Sequence, residues 1–335
     1  MTELLERLLA GGDLTESQAA DLMRALAAGT IEPAQAGGLL IALRAKGESA
    51  SEIRGFATAM RELALRPKIP RELDAVDIVG TGGDGSGSLN LSTGSALLAA
   101  ACGLSVVKHG NRSITSRSGS ADVLAALGLP MPLDEDAAAR CLKATGFTFL
   151  FAPHYHPAMR QIAPIRVALG VRTAFNILGP LVNPAEPAYH VIGAASEPVA
   201  RLMADTLAGL PIKRAFVIYG AAGWDEATPI GPFACFDVTP GRVSPGRRDP
   251  AEYGLAACTE ADLRGGEAKE NAARLRAALM GKDSQAHRDA LALGAALALE
   301  VTGQAANPRV AIQQAKDTIE SGRGAQWLAK LDAFA

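Results

Sequence analysis

The sequence predicts a two-lobed α/β protein: a small all-helical domain over residues 1–70, and a larger α/β domain over residues 71–335 with a mainly parallel central sheet flanked by helices. Three observations predict it. Residues 1–65 carry only helical patterns, with capping-box pairs at Thr15 and Gln18 and at Ser49 and Glu52. After the proline-bounded segment RPKIPREL, short apolar runs alternate with polar loops and Ala-rich helices, the order of a parallel sheet with right-handed crossovers. The length, 335 residues, exceeds one typical domain and falls short of three.

The elements follow in order. Pro33 stands where a first-turn proline is tolerated, ahead of AQAGGLLIALRAKG, in which Ala36, Leu39, Leu40 and Leu43 recur at helical spacing. Residues 75–79 read as a short buried strand, followed by a glycine-rich loop and an Ala-rich helix over 95–102. A second strand over 105–108 leads into another polar loop and the helix ADVLAALG. Further strands are expected at 189–194, at 215–219 and around 233–238 before the turn Pro240-Gly241, and helices from Asn271 onward.

Composition narrows the function. Hydrophobic residues make up 48% and aromatics only 4%, so the core is built from Ala, Leu, Val and Ile. A formal net charge of -2 offers no basic stripe for nucleic acid; a phosphate ligand needs only a local positive pocket. Cys102, Cys141, Cys235 and Cys258 are widely spaced, with no CxxC pair, and read as thiols in a reducing cytoplasm. The N-terminus places Glu3 and Glu6 among its leucines, unlike a secretory signal, and the apolar stretch 291–301 is too short to span a bilayer.

Two loops carry the chemistry. The first runs GTGGDGSGSLNLST from Gly80 to Thr93. It contains GxGxxG, but the second strand ends in Lys108 rather than an acidic residue, against a dinucleotide fingerprint, and no Gly-Lys-Ser/Thr makes it a Walker loop. Its glycines let backbone N–H groups approach an anion, and the following helix start adds a partial positive charge. The second loop, KHGNRSITSRSGSAD from Lys108, concentrates cations and hydroxyls. Both follow a strand at its carboxyl end, where open α/β sheets bind ligands, so together they could hold two phosphate groups. Asp225 and Glu226, in a loop after a strand, suit a hard cation such as Mg2+ bound to substrate phosphates. His154 and His156 are flanked by prolines, and no further His or Cys completes a metal site around them.

GTGGDG, NLST and KHGNRSITSRSGSAD, in this order and separation, resemble the phosphoribosyl-diphosphate motifs of the anthranilate phosphoribosyltransferase family, with Thr115 where the family often has Ser. Gly223-Trp224-Asp225-Glu226 is similar to its Gly-x-Asp-Glu motif, and residues 151–184 look like its substrate segment. The resemblance implies the nucleoside phosphorylase/phosphoribosyltransferase fold, with a helical insertion near 160–182 joining the small domain. It implies transfer of a phosphoribosyl group to anthranilate in tryptophan biosynthesis. For phosphoribosyl diphosphate it points to Gly80, Gly83, Asp84, Ser88, Asn90, Leu91, Ser92, Thr93, to Lys108, His109, Gly110, Asn111, Arg112, Ser113, Ile114, Thr115, Ser116, and to Ser120. Gly80, Asn111, Arg166, Pro153 and His156 would face anthranilate, and Ser92, Asp225 and Glu226 would hold Mg2+, as two ions. A homodimer through the helical domain is implied too. The competing readings are a nucleoside phosphorylase of the same fold, whose motifs differ, and a non-catalytic nucleic-acid-binding relative, which should lack the acidic pair.

Overall fold

The computed structural model describes residues 1–113 and 117–334. The N-terminal lobe holds α1 (Thr2–Leu9), α2 (Glu16–Ala28), α3 (Pro33–Lys46) and α4 (Ala50–Glu62). Thr15 and Ser49 close full capping boxes with Gln18 and Glu52, and Pro33 opens α3. Then follow β1 (Ala75–Gly80), α5 (Leu91–Ala101), β2 (Ser105–Gly110), α6 (Ser120–Ala126), α7 (Glu135–Thr145) and β3 (Phe147–Phe151). The short α8 (Ala152–Tyr155), α9 (Met159–Leu169) and the short α10 (Phe175–Leu178) lead to β4 (Tyr189–Gly193), α11 (Glu197–Leu207) and β5 (Arg214–Tyr219). The chain ends with β6 (Phe233–Thr239), β7 (Arg242–Arg248), α12 (Ala268–Leu279), α13 (Gln285–Val301), α14 (Pro308–Glu320) and α15 (Arg323–Phe334).

Among the described residues the strands form one seven-stranded sheet in the order β3-β2-β1-β4-β5-β6-β7. The β3 to β5 stretch is parallel; β6 and β7 join antiparallel, as a hairpin turning at Gly241 in the left-handed region. Because β1 has β2 on one side and β4 on the other, the chain reverses direction across the sheet between β1 and β4, the switch point at which such sheets open a crevice.

One apolar core lies between the sheet and α5, α13 and the C-terminal helices. The other joins the opposite sheet face and α11 to the helical lobe. Small residues set the spacing: a Cβ on Gly294 of α13 would stand 2.2 Å from Ser95 Oγ of α5. This is how a chain with 4% aromatics stays densely packed. Ile162 of α9 and Phe175 and Leu178 of α10 share the core of Leu22, Leu39 and Phe56, so the mid-chain helices pack into the helical lobe.

Several elements differ from the sequence expectation. Helix α5 starts at Leu91 rather than at 95, so Ser92 and Thr93 occupy its first turn. β2 continues through His109 and Gly110. β3, α7 and α11 went unread, β3 because a five-residue apolar run does not declare its periodicity. β7, RVSPGRR, was not among the expected strands; its Pro245 and charges are tolerated because it is an exposed edge strand.

Helices α2 and α4 meet most closely at Gly55, where a Cβ would stand 2.2 Å from the Glu16 carbonyl oxygen and 2.9 Å from Ala20 N. Backbone cannot yield as a side-chain tip can. Gly55→Ala should therefore cost about 1–3 kcal/mol and lower the thermal midpoint by several degrees, read by circular dichroism. An unchanged midpoint would show that the helices separate without loss.

Candidate active site

The carboxyl ends of β1, β2, β4 and β5 converge on one rim. Thr81 N donates to Gly193 O at 2.9 Å, tying the loop after β1 to the end of β4. The segment after β5 folds back over both, so that Asp225 Oδ2 accepts from Gly82 N at 2.6 Å. Glycines make this approach possible. A Cβ on Gly193 would stand 1.5 Å from the Asp225 carbonyl oxygen, and one on Gly80 2.4 Å from Asp225 Oδ2. Gly82 and Gly83 adopt φ of 71° and 74°, a turn that side-chained residues rarely make. Inside the loop Asp84 Oδ1 accepts from Ser86 N and Ser86 Oγ at 3.1 and 3.0 Å, and Ser86 Oγ in turn lies 3.2 Å from the Ser88 hydroxyl.

The start of α5 explains its early onset. Asn90 occupies the N-cap position but makes no side-chain cap. The first-turn amide of Ser92 instead donates to Glu226 Oε1 at 3.1 Å, across 134 positions of sequence. Lys108, 1% exposed, donates through Nζ to Ile78 O at 2.5 Å and to Ser92 Oγ at 3.3 Å. Lys108, Ser92 and Glu226 thus meet at a single point of the rim.

Electrostatics there are unbalanced. Burial pushes the Asp225 and Glu226 carboxyls well above the usual range, and the neighbouring Asp84 raises Asp225 while Asp225 raises Glu226. Burial pushes the Lys108 ammonium down, against the pull of Asp77, Glu226 and Asp225. One buried cation faces several carboxylates, so an added cation would relieve the repulsion. Among the described residues no group of three His, Cys, Asp or Glu side chains encloses a metal. Oxygen-only donors that need ligand oxygens and water to complete the shell suit Mg2+.

The second loop is pinched at its base. Asp122 Oδ2 accepts from Ser113 N at 3.2 Å and Gly119 N at 3.0 Å, and its Oδ1 pairs with Arg112 at 3.3 Å. Ser120 Oγ donates to Asn111 O at 3.3 Å. Asn111 and Arg112 are exposed at the rim. Ile114, Thr115 and Ser116, also expected in this site, lie outside the described residues.

The middle segment divides its residues. His109 is buried, its Nδ1 3.0 Å from Gly179 O, and its ring packs edge-on to His156 at 5.1 Å. Because a carbonyl only accepts, Nδ1 carries the proton; burial pushes this imidazole down to about 3, so it is neutral at pH 7. The His109 ring therefore ties β2 to Gly179 and packs against His156, turned away from the rim. Pro153 is exposed on α8. Arg166, on α9, is half-buried, its guanidinium 5.3 Å from the centre of the Phe175 ring. Burial alone lowers its pKa, with no carboxylate contributing.

Several residues that shape the site went unmarked in the sequence. Arg172 donates to Gly83 O at 2.7 Å, and its own carbonyl accepts from Arg44 of α3 at 2.6 Å, linking the helical lobe to the glycine loop. Asn183 Nδ2 bridges the buried Asp77 carboxylate at 2.8 Å and Val107 O at 2.7 Å. Contacts to backbone carbonyls leave no spacing pattern. The only available signal for Gly193 was a glycine at a strand end.

Comparison with known proteins matches residues 72–325 to the glycosyl transferase family, a/b domain, and residues 2–64 to its helical bundle domain. An anthranilate phosphoribosyltransferase of Desulforudis audaxviator is 43% identical over 332 residues, covering 99% of this chain and 95% of the relative. The crystal structure of anthranilate phosphoribosyltransferase from Thermus thermophilus superposes with a TM-score of 0.91 at 40% identity, covering 99% of this chain and 98% of that one. The Saccharomyces cerevisiae anthranilate phosphoribosyltransferase in complex with PRPP and Mg matches with a TM-score of 0.89 at 26% identity, covering 99% and 97%.

The raised carboxyls make a cation compete with protons. Burial and mutual repulsion keep Asp225 and Glu226 protonated well above the usual carboxylate range, into the neutral pH window. A metal must displace those protons. Mg2+ affinity, titrated calorimetrically with diphosphate present, should rise through this pH window and fall below it, with protons released on binding. A flat profile from pH 6 to 9 would contradict the placement of the ion on this pair.

Proposed function

The chain belongs to the anthranilate phosphoribosyltransferases of this glycosyl transferase family, and we infer from its site how the work is divided among its residues. The reaction transfers the phosphoribosyl group of phosphoribosyl diphosphate to the amine of anthranilate and releases diphosphate, a step of tryptophan biosynthesis. The observation that carries the assignment of the site is the meeting of Lys108, Ser92 and Glu226 at the junction of both polar loops.

In this reading Gly80, Gly83, Asp84, Ser88 and the 90–93 segment cradle the diphosphate from one side, and residues 108–116 with Ser120 close over it from the other. The first turn of α5, whose Ser92 N–H is held by Glu226, turns its positive end toward the anion. Lys108 spends two donors on Ile78 O and Ser92 Oγ, so it holds the rim together and keeps a third for the ligand. We assign two Mg2+ ions to Ser92, Asp225 and Glu226, which would hold them through oxygen donors; bound there, they would supply positive charge against the departing diphosphate.

As the C–N bond forms at the anomeric carbon, the C–O bond to diphosphate breaks and its electron pair leaves with diphosphate; the nitrogen, now cationic, then gives up one proton to solvent. The aromatic amine is already neutral at pH 7, so orienting it matters more than removing its proton beforehand. Arg166, held against Phe175 without a carboxylate of its own, is assigned to the anthranilate carboxylate. Asn111 takes the amine side, beside Gly80, while Pro153 and His156 border the approach. The tie from Arg172 to Gly83 makes closure between the lobes felt directly at the glycine loop.

A homodimer through the helical lobe and a cytoplasmic setting complete the proposal. Leu9 of α1 is 66% exposed and Ile41 of the adjoining α3 is 37% exposed, apolar surface that a second copy would cover. Among the described residues no helix is long and apolar enough to cross a membrane. The cysteines are free thiols, in keeping with a reducing compartment.

Anthranilate consumption followed by fluorescence should require both phosphoribosyl diphosphate and Mg2+. Arg166→Gln should raise KM for anthranilate by about ten- to a hundredfold, as expected for loss of a charged hydrogen bond, and leave KM for phosphoribosyl diphosphate near wild type. An unchanged anthranilate KM would remove Arg166 from the acceptor site. Leu9→Asp with Ile41→Asp should move the mass in light scattering from dimer to monomer; retention of the dimer would place the interface elsewhere.

A further inference from the structure

Asn271 lies in the first turns of α12, 181 positions beyond Asn90 and outside both phosphate loops, yet it touches both. It is 1% exposed. Its Oδ1 accepts from Gly266 N at 2.7 Å. Its Nδ2 donates to Asn90 Oδ1 at 2.8 Å, in the first loop, and to Ser118 Oγ at 2.9 Å, in the second. We propose that Asn271 is a positioning residue for phosphoribosyl diphosphate, a carboxamide clamp that sets the distance between the two loops. The proposal rests on the reading of those loops as the diphosphate site.

The donor and acceptor roles are settled from both ends of the network. A backbone N–H can only donate, so Gly266 fixes Oδ1 of Asn271 toward itself and turns Nδ2 toward the loops. Asn90 must then present Oδ1 to Asn271, which leaves its Nδ2 facing Ser118 O at 3.1 Å, a carbonyl that can only accept. Ser118 Oγ closes the ring by donating to Asn90 Oδ1 at 3.0 Å. Each assignment requires the next, and no alternative flip of either amide satisfies both backbone groups.

This accounts for two facts that otherwise stand apart. Asn90 is at an N-cap position without capping, because its side chain is drawn sideways to Ser118 and Asn271. The first turn of α5 is therefore free of an Asn90 cap, and its Ser92 N–H is met by Glu226 instead. Every hydrogen-bonding group of the Asn271 side chain is engaged within the protein, so it acts on substrate through Asn90 and Ser118 rather than by contact. A purely structural role, satisfying Gly266 N and no more, predicts a different outcome under mutation.

The test uses the full chain with Mg2+. Asn271→Asp keeps the acceptor for Gly266 N but turns an oxygen toward Asn90 Oδ1. We expect KM for phosphoribosyl diphosphate to rise about tenfold or more while KM for anthranilate stays within about twofold. In a double-mutant cycle, Asn271→Asp on an Asn90→Ala background should add little, since the clamp has lost its partner. An unshifted phosphoribosyl-diphosphate KM, or both KM values rising together with a lowered thermal midpoint, overturns the clamp in favour of a structural role. If Asn271→Asp fails to fold, Ser118→Ala, which leaves the Gly266 bond intact, is read by the same split, and an unshifted KM there also overturns the clamp. Wild-type protein that fails to bind phosphoribosyl diphosphate in a calorimetric titration would instead defeat the reading of the loops, separately from any result at Asn271.

Discussion

Asp225 and Glu226 are held against the start of α5 with too little positive charge around them. Their position depends on close backbone approach: Asp225 passes so near the ends of β1 and β4 that only glycine fits at 80 and 193. Glu226 then replaces the missing side-chain cap of α5 by accepting from Ser92 N. Buried carboxylates placed side by side repel one another and lose solvation, a cost that is tolerable where a cation completes the site. In the proposed reading that cation arrives with the substrate.

The sheet supplies the rigidity this requires. β1, β4 and β5 run parallel with residues 76–80 paired to 189–193, and the latter to 214–218, which brings the three loop-bearing ends level. Apolar cores on both faces hold that register. The loops themselves are secured by polar ties rather than packing: Asp122 across the base of the second, Arg172 on the carbonyl of Gly83, and Asn271 between the two. Helices α9 and α10, which carry Arg166 and Phe175, belong to the helical lobe's core, so in the proposed assignment the acceptor carboxylate and the diphosphate are bound from different lobes. Chemistry between them depends on how those lobes meet.

Much of this was readable from residue order. The capping boxes at Thr15 and Ser49, the first-turn Pro33, the parallel strands and the Pro240-Gly241 turn are local signals, decided by backbone stereochemistry and short-range hydrogen bonds, and they stand where the sequence places them. The glycine loop, the cationic loop and the acidic pair were visible as clusters because phosphate and hard-cation chemistry call for those residue types. The onset of α5 was misjudged because the Ser92 N–H in its first turn is met by Glu226, far away in sequence.

What residue order determined by itself was thus the local vocabulary: helix starts, strand periods, and loops rich in glycine, hydroxyls and charge. Tertiary structure alone decided which of these groups meet, that Asp225 lies over Gly80 and Gly193, that His109 turns inward to His156, and that Asn271 reaches both loops. The physical reason is that short-range preferences are written in neighbouring residues. A contact across more than a hundred positions exists only after the sheet has set the register, and it is made as often to a backbone carbonyl or amide, which every residue carries, as to a side chain that a pattern could reveal.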